Sequence, residues 1–180
     1  MSSNRSYPDV EAGPFPEPPV EFEDQEGRDV EIRGFDRDDL DALVEMYVDF
    51  DPADRAQGIP PIGEERVRNW LDHLLVEGSY NVVAVVGEHG EEAVGHATLV
   101  EDEGGAYELA IFVHQDYQGA GIGTHLLETL LGHGAANGVE KVWLTVERWN
   151  RPAVKLYEKV GFETTEAESF ELEMAIRLGD

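Results

Sequence analysis

The chain has 180 residues, and its 39 Asp and Glu against 13 Lys and Arg give a formal net charge of −26. Such acidity argues against a sequence-independent binder of nucleic acid and against docking on an anionic membrane, since both need surplus cations to neutralise phosphate. With 41% hydrophobic residues the chain can nevertheless bury the core of a single domain.

Taken in chain order, residues 1–27 carry Pro8, Pro14, Pro16, Pro18 and Pro19 among acids, which predicts an extended or disordered arm. The folded domain is expected over 28–180. Val30 to Arg33 alternates as a short strand, and Asp36 reads as an N-cap before a helix with Leu40, Leu43, Val44 and Tyr47 on one face. Residues 51–63 form a loop on their Pro and Gly content. A second helix follows over about 64–76, with Val67, Trp70, Leu71, Leu74 and Leu75 inward. Two apolar runs, 81–86 and 93–100, make a hairpin, and a third strand spans 107–113. The order then becomes strand, helix, strand, helix. Residues 121–137 are helical with Gly138 as the stop, and 142–146 is an apolar strand of the kind buried in parallel pairing. Asn150 caps a short helix that ends at Gly161, and 170–176 alternates as an edge strand would. The sum is an α/β fold, a mixed sheet that is antiparallel in its first half and parallel in its second, with flanking helices.

Lys141, Lys155 and Lys159 are the only lysines. A carboxylate-rich, lysine-poor composition is similar to that of cytoplasmic proteins from salt-loving microbes, where a Debye length of about 3 Å near 1 M salt screens self-repulsion. The alternative is an acidic protein with basic partners. No cysteine is present, which removes disulfides and thiol catalysis. No apolar run reaches the ~18 residues of a membrane span, and the N-terminus lacks a signal-peptide core, so a cytoplasmic protein is expected. His114, His125 and His133 are dispersed without metal-site spacing.

The chemically informative stretch is 108–162. A strand ends at Val113, and Gln118-Gly119-Ala120-Gly121-Ile122-Gly123 then opens a helix. Glycines let the backbone approach a ligand, and the free N–H groups of a first helical turn attract an anion such as a pyrophosphate. A tight turn with no ligand would want the same glycines. The dinucleotide fingerprint fails because Thr124 stands where its third glycine belongs, and the G-x-x-x-x-G-K-[ST] loop fails for want of a lysine.

The pattern Gln118-x-x-Gly121-x-Gly123 resembles the pyrophosphate loop of the GNAT superfamily of acyl-CoA-dependent N-acetyltransferases. Some thirty residues on, Asn150-x-x-Ala153-x-x-Leu156-Tyr157-Glu158-Lys159-x-Gly161-Phe162 resembles that family's second signature. The resemblance implies that acetyl-CoA is the co-substrate, that no metal is needed, and that dimers are common. It implies that the backbone of Ile111, Phe112 and Val113 pairs with the pantetheine arm, and that the amides of Gln118, Gly119, Ala120, Gly121, Ile122, Gly123 and Thr124 hold the pyrophosphate. It further implies that Asn150 bonds the pantetheine, and that Tyr157 meets the CoA sulfur and protonates or stabilises the leaving thiolate. Read as residues alone, Asn150 is equally a helix cap and Tyr157 equally a core tyrosine.

An amine acceptor must lose a proton, and Glu108 is the first candidate base, with Glu147 the second. In the ribosomal-protein branch of the family a Glu lies five residues before the motif Asn; here that position is Thr145. The resemblance places the acceptor site around residues 47–67, including Asp49, Asp51, Asp54, Arg55 and Gln57. Arg151 and Lys155 read as surface residues within reach of the cofactor's 3′-phosphate. The rival to an enzyme is a non-catalytic acyl-CoA-binding module of the same fold. The charge is also uneven: residues 117–157 hold three acids against four bases, so the whole negative excess lies elsewhere, as a polyanion site predicts and as a buried core segment would in part produce.

Overall fold

A computed structural model describes residues 5–55 and 59–179; Gln57 lies outside the described residues. Two strands come from the arm, β1 (Glu11–Ala12) and β2 (Val20–Glu23), followed by β3 (Asp29–Gly34), helix α1 (Leu40–Val48) and helix α2 (Glu64–Leu74). Next are β4 (Tyr80–Val86), β5 (Glu92–Glu101), β6 (Tyr107–Val113), α3 (Ile122–Ala136), β7 (Lys141–Glu147), α4 (Arg151–Val160), β8 (Glu163–Ala167) and β9 (Glu171–Leu178). They form one sheet in the order β1-β9-β7-β6-β5-β4-β3-β2, with β8 also paired to β9. The result is the mixed α/β sheet with flanking helices that the sequence predicts.

Alternation along the strands sends side chains to two cores. Val82, Ala84, Leu99, Leu109 and Leu144 face α3 and α4, whereas Val83, Val85, Ala93 and Phe112 face α1 and α2. Asp36 caps the single turn Arg37–Asp39 ahead of α1, its carboxylate accepting from the Asp38 N–H while Asp39 bonds back to the Asp36 N–H. In the α1/α2 core, Tyr47 Oη donates to His96 Nδ1 (2.6 Å), and His96 Nε2 donates to Asn81 Oδ1 (2.8 Å). Burial pushes the His96 imidazole down to about 3, so it is neutral and can accept at one nitrogen while donating at the other.

Two expectations need correction. The run 142–146 is not chiefly a parallel strand: β7 pairs antiparallel with β9 over seven residues and parallel with β6 over two. A continuous apolar run reports burial on both faces, not the direction of its neighbour. Nor is the C-terminal strand an edge. β9 lies between β7 on one side and β8 and β1 on the other, and Glu173, which made it look solvated, pairs with Arg5 at 2.8 Å.

The arm wraps the domain. The Arg5 guanidinium sits 3.4 Å from the centroid of the Trp143 ring, and β1 pairs with β9 at one sheet edge. The chain then crosses the outer side of α3 and joins β3 at the opposite edge as β2. Phe22 stacks on His125 with centroids 3.8 Å apart, and Phe15 packs on the same core. This second cover explains why α3 is buried beyond the one apolar face read from its sequence. Gly132 marks the crossing, because a Cβ there would run into the backbone of Pro16. Gly132→Ala should therefore lower stability by about 1–3 kcal/mol in urea unfolding, despite the better helix propensity of alanine.

Candidate active site

Strands β6 and β7 are hydrogen-bonded neighbours only at Tyr107–Val142 and Glu108–Trp143. Beyond that point they part, while β6 stays paired with β5 to Val113 and β7 stays paired with β9 to Glu147. The opening leaves the β7-facing edge of residues 109–113 without strand partners, a row of backbone groups that an extended ligand can pair with. Two cavities fill the opening, of about 720 Å³ and 260 Å³, and they share Asp54, Ile111, Phe112, Asn150 and Ala153.

The larger cavity ends on the glycine loop, with Gln118, Gly119 and Gly123 in its wall. Gly119 (φ 73°) and Gly121 (φ 88°) take left-handed conformations that side-chain-bearing residues resist. No side chain caps α3, so the N–H groups of Ile122, Gly123 and Thr124 in its first turn have no helical acceptor. Ala120 and Ile122 turn their side chains into the core, leaving backbone as what the loop presents. The Gln118 side chain donates to the Val113 carbonyl at 2.9 Å and closes the loop onto the end of β6. A wall of backbone donors, an unpaired strand edge and a cavity of this size fit the pyrophosphate and pantetheine of acetyl-CoA.

The smaller cavity is where the candidate chemical groups meet. Tyr157, Glu108, Glu147, Thr145 and Asn150 all line it. Tyr157 is held by α4 with its ring against Phe162 and is only 7% exposed. Its hydroxyl has no hydrogen-bond partner among the described residues, and burial pushes its pKa up to about 12. Asn150 accepts from the Ala153 N–H at 3.4 Å, so it does cap α4, and it also borders both cavities. Glu108 keeps solvent access but stands where the strands part. Desolvation raises its carboxyl above the usual range, Arg5 opposes the rise, and Asp102 adds to it.

The residues expected around the acceptor divide. Asp54 borders both cavities. Asp49 instead bonds His114 Nε2 at 2.8 Å in a separate acidic groove with Glu45, Glu92 and Asp116. Asp51 caps the turn at Pro52–Asp54, and Arg55 clamps the loop by donating to the carbonyls of Phe50 and Pro60, each at 2.9 Å. Arg151 and Lys155 lie along a different groove with Trp149 and Glu158. Sequence reasoning missed Glu171, which enters the smaller cavity from β9 opposite Glu147. Among the described residues no group of three or more His, Asp or Glu could hold a metal, and no helix is long and apolar enough to cross a membrane.

Comparison with known proteins agrees with this geometry. Residues 40–162 match the acetyltransferase (GNAT) family. The chain is 31% identical to a mycothiol acetyltransferase of Thermobifida fusca over 170 residues, which is 87% of this chain and 50% of that one. It is 31% identical over 140 residues to an acetyltransferase of Pectobacterium atrosepticum, covering 76% of this chain and 90% of the other. The chain thus spans half or less of the mycothiol acetyltransferases it matches. Among solved structures, the GNAT domain of S. lividans PAT superposes with a TM-score of 0.74 at 18% identity, covering 89% of this chain and 97% of the other. The yncA protein of Salmonella typhimurium, solved with its cofactor acetyl-CoA, superposes with a TM-score of 0.67 at 20% identity, covering 84% and 95%. With the splayed strands, the glycine loop and a sequence match that takes in both, the chain belongs to the acetyltransferase (GNAT) family.

Proposed function

We propose that the protein transfers an acetyl group from acetyl-CoA to an amine by direct attack within a ternary complex. The observation that carries this reading is Tyr157, its hydroxyl without a partner among the described residues, lining the same cleft as the glycine loop and Glu108. Bound acetyl-CoA supplies the acetyl group as a thioester whose sulfur leaves. The amides of the glycine loop take the pyrophosphate, the free edge of Ile111, Phe112 and Val113 takes the pantetheine, and Asn150 borders its path. Glu108 removes a proton from the acceptor nitrogen, either directly or through water, with Glu147 as its alternate. Tyr157 donates a hydrogen bond to the sulfur as the C–N bond forms and the C–S bond breaks.

The acceptor is best read as a cationic amine. Asp54, Glu108, Glu147 and Glu171 line the smaller cavity, and among the described residues no Lys, Arg or His does. A screen of amines with acetyl-CoA, reading thiol release and product mass, tests the proposal. Product from at least one amine, lost in Tyr157→Phe, is the expected result. CoA binding without any acetylated amine would leave a non-catalytic acyl-CoA-binding module.

The charge of −26 supports a further part of this proposal, that the protein works in a salt-rich cytoplasm. Raising salt from 0.1 to 1 M shortens the Debye length from about 10 to 3 Å. Melting temperature at neutral pH should therefore climb with salt, by about 2–4 °C for each kcal/mol of repulsion screened. A Tm independent of salt would count against it.

A further inference from the structure

The arm ends in a turn that touches the glycine loop at two places. Gly27 N–H donates to the Asp24 carbonyl (3.0 Å), which places Gln25 and Glu26 at the centre of a β-turn. Asp24 stiffens the turn: one carboxylate oxygen accepts from the N–H groups of Glu26 and Arg28, and the other accepts from Arg28 Nε at 2.7 Å. From this platform the Gln25 N–H donates to the Ala120 carbonyl at 2.9 Å, and the Gln25 side chain lies against Gly121. Arg28 donates to the Asp116 carbonyl at 3.2 Å and lays its guanidinium 4.2 Å from the Tyr117 ring centroid. The two contacts bracket Gln118.

The first contact has an electrostatic consequence. In a trans peptide the C=O and N–H of one unit point in opposite directions. Holding the Ala120 carbonyl toward Gln25 therefore holds the Gly121 N–H away from it. That N–H has no partner among the described residues. Without the anchor, this unit can flip through Ala120 ψ and Gly121 φ, since glycine accepts either sign of φ, and present its carbonyl, not its N–H, to an anion.

We propose that the turn at residues 24–28 is a positioning element for the cofactor loop, fixing the Ala120–Gly121 peptide so that its N–H is preset for the pyrophosphate. The inference rests on the acetyl-CoA reading given above and adds to it. The arm is thereby part of the binding apparatus, although none of its residues lines the cleft cavities.

Gln25→Pro is the sharpest test. Proline suits the second position of such a turn, and the substitution removes the one N–H that bonds Ala120. Gln25→Ala keeps that N–H and removes only the side chain. With CoA as the probe in titration calorimetry, Gln25→Pro should raise Kd about tenfold, the worth of one hydrogen bond to a charged group, while Gln25→Ala stays within about twofold. The ligand-free Tm should stay within a few degrees of wild type in both. Arg28→Ala, which frees the second contact, should raise Kd by a smaller factor and stands in if Gln25→Pro does not fold. Wild-type Kd in both Gln25→Pro and Arg28→Ala overturns the positioning role while leaving the cofactor reading intact. Affinity that falls only in step with the ligand-free Tm also overturns it, because the turn is then a clamp on the fold. A wild-type protein that does not bind CoA removes the cofactor reading and the inference together.

Discussion

Tyr157→Phe is expected to lower kcat for acetyl transfer by about 10²-fold or more, with the KM for acetyl-CoA little changed and the fold at least as stable as wild type. The split follows from where the hydroxyl sits. It has no hydrogen-bond partner among the described residues, so removing it breaks no hydrogen bond and leaves the ring packed on Phe162. A purely structural tyrosine would predict a silent or stabilising substitution with unchanged kcat, and that result would end the catalytic assignment. The elevated pKa also refines the role. A phenol near 12 facing a thiol near 8.5 would give up its proton about 5 kcal/mol uphill. In the proposed reaction Tyr157 therefore serves as a hydrogen-bond donor to the developing thiolate, and the proton that reaches the sulfur comes from the attacking nitrogen. Accordingly, kcat should show no alkaline limb from Tyr157 below about pH 10, since the phenol stays protonated throughout that range.

Much of this arrangement was legible because the chemistry is local in sequence. The loop from Gln118 to Thr124 and the helix from Asn150 to Tyr157 each place their proposed cofactor and catalytic groups within a short stretch of chain, and the glycines need their conformations whatever surrounds them. The strand–helix–strand–helix order placed the two segments side by side. What stayed hidden depends on partners distant along the chain. Glu171 reaches the cavity only because β9 pairs with β7, and its alternating polar pattern looked like a solvated edge. Asp49 looked like its neighbour Asp54, but His114, sixty-five residues away, claims it.

The arm was hidden for a related reason. Its prolines and acids describe a chain with too few apolar residues to form a core of its own. Two anchors, Phe15 and Phe22, seat it on a core made elsewhere, and Gly132 clears the path. β8, with the sequence ETTEA, lacks any apolar alternation and exists because β9 offers it a partner edge.

Glu108→Gln is the second substitution with a large expected effect, and its signature lies in pH dependence. Desolvation raises the Glu108 carboxyl, so the protonated form persists to higher pH than in an ordinary glutamate. Only the carboxylate can accept a proton from an ammonium acceptor. The wild-type kcat/KM for the amine should therefore decline as pH falls through this raised value, on the acid side of the profile. Glu108→Gln should cost about 10²-fold in that constant and abolish the limb, with CoA affinity retained. The stability sign runs the other way. A carboxyl with a raised folded pKa is less stable as a charge in the fold than in the unfolded chain, so at pH 7 the glutamine variant should melt no lower than wild type. Glu147→Gln is the control across the same cavity. If the acid limb survives Glu108→Gln and vanishes in Glu147→Gln, the proton is taken from the β7 side of the cleft, where Glu147 and Glu171 sit opposite each other. Either result ties the base to a cleft that exists because β6 and β7 stop pairing after Glu108.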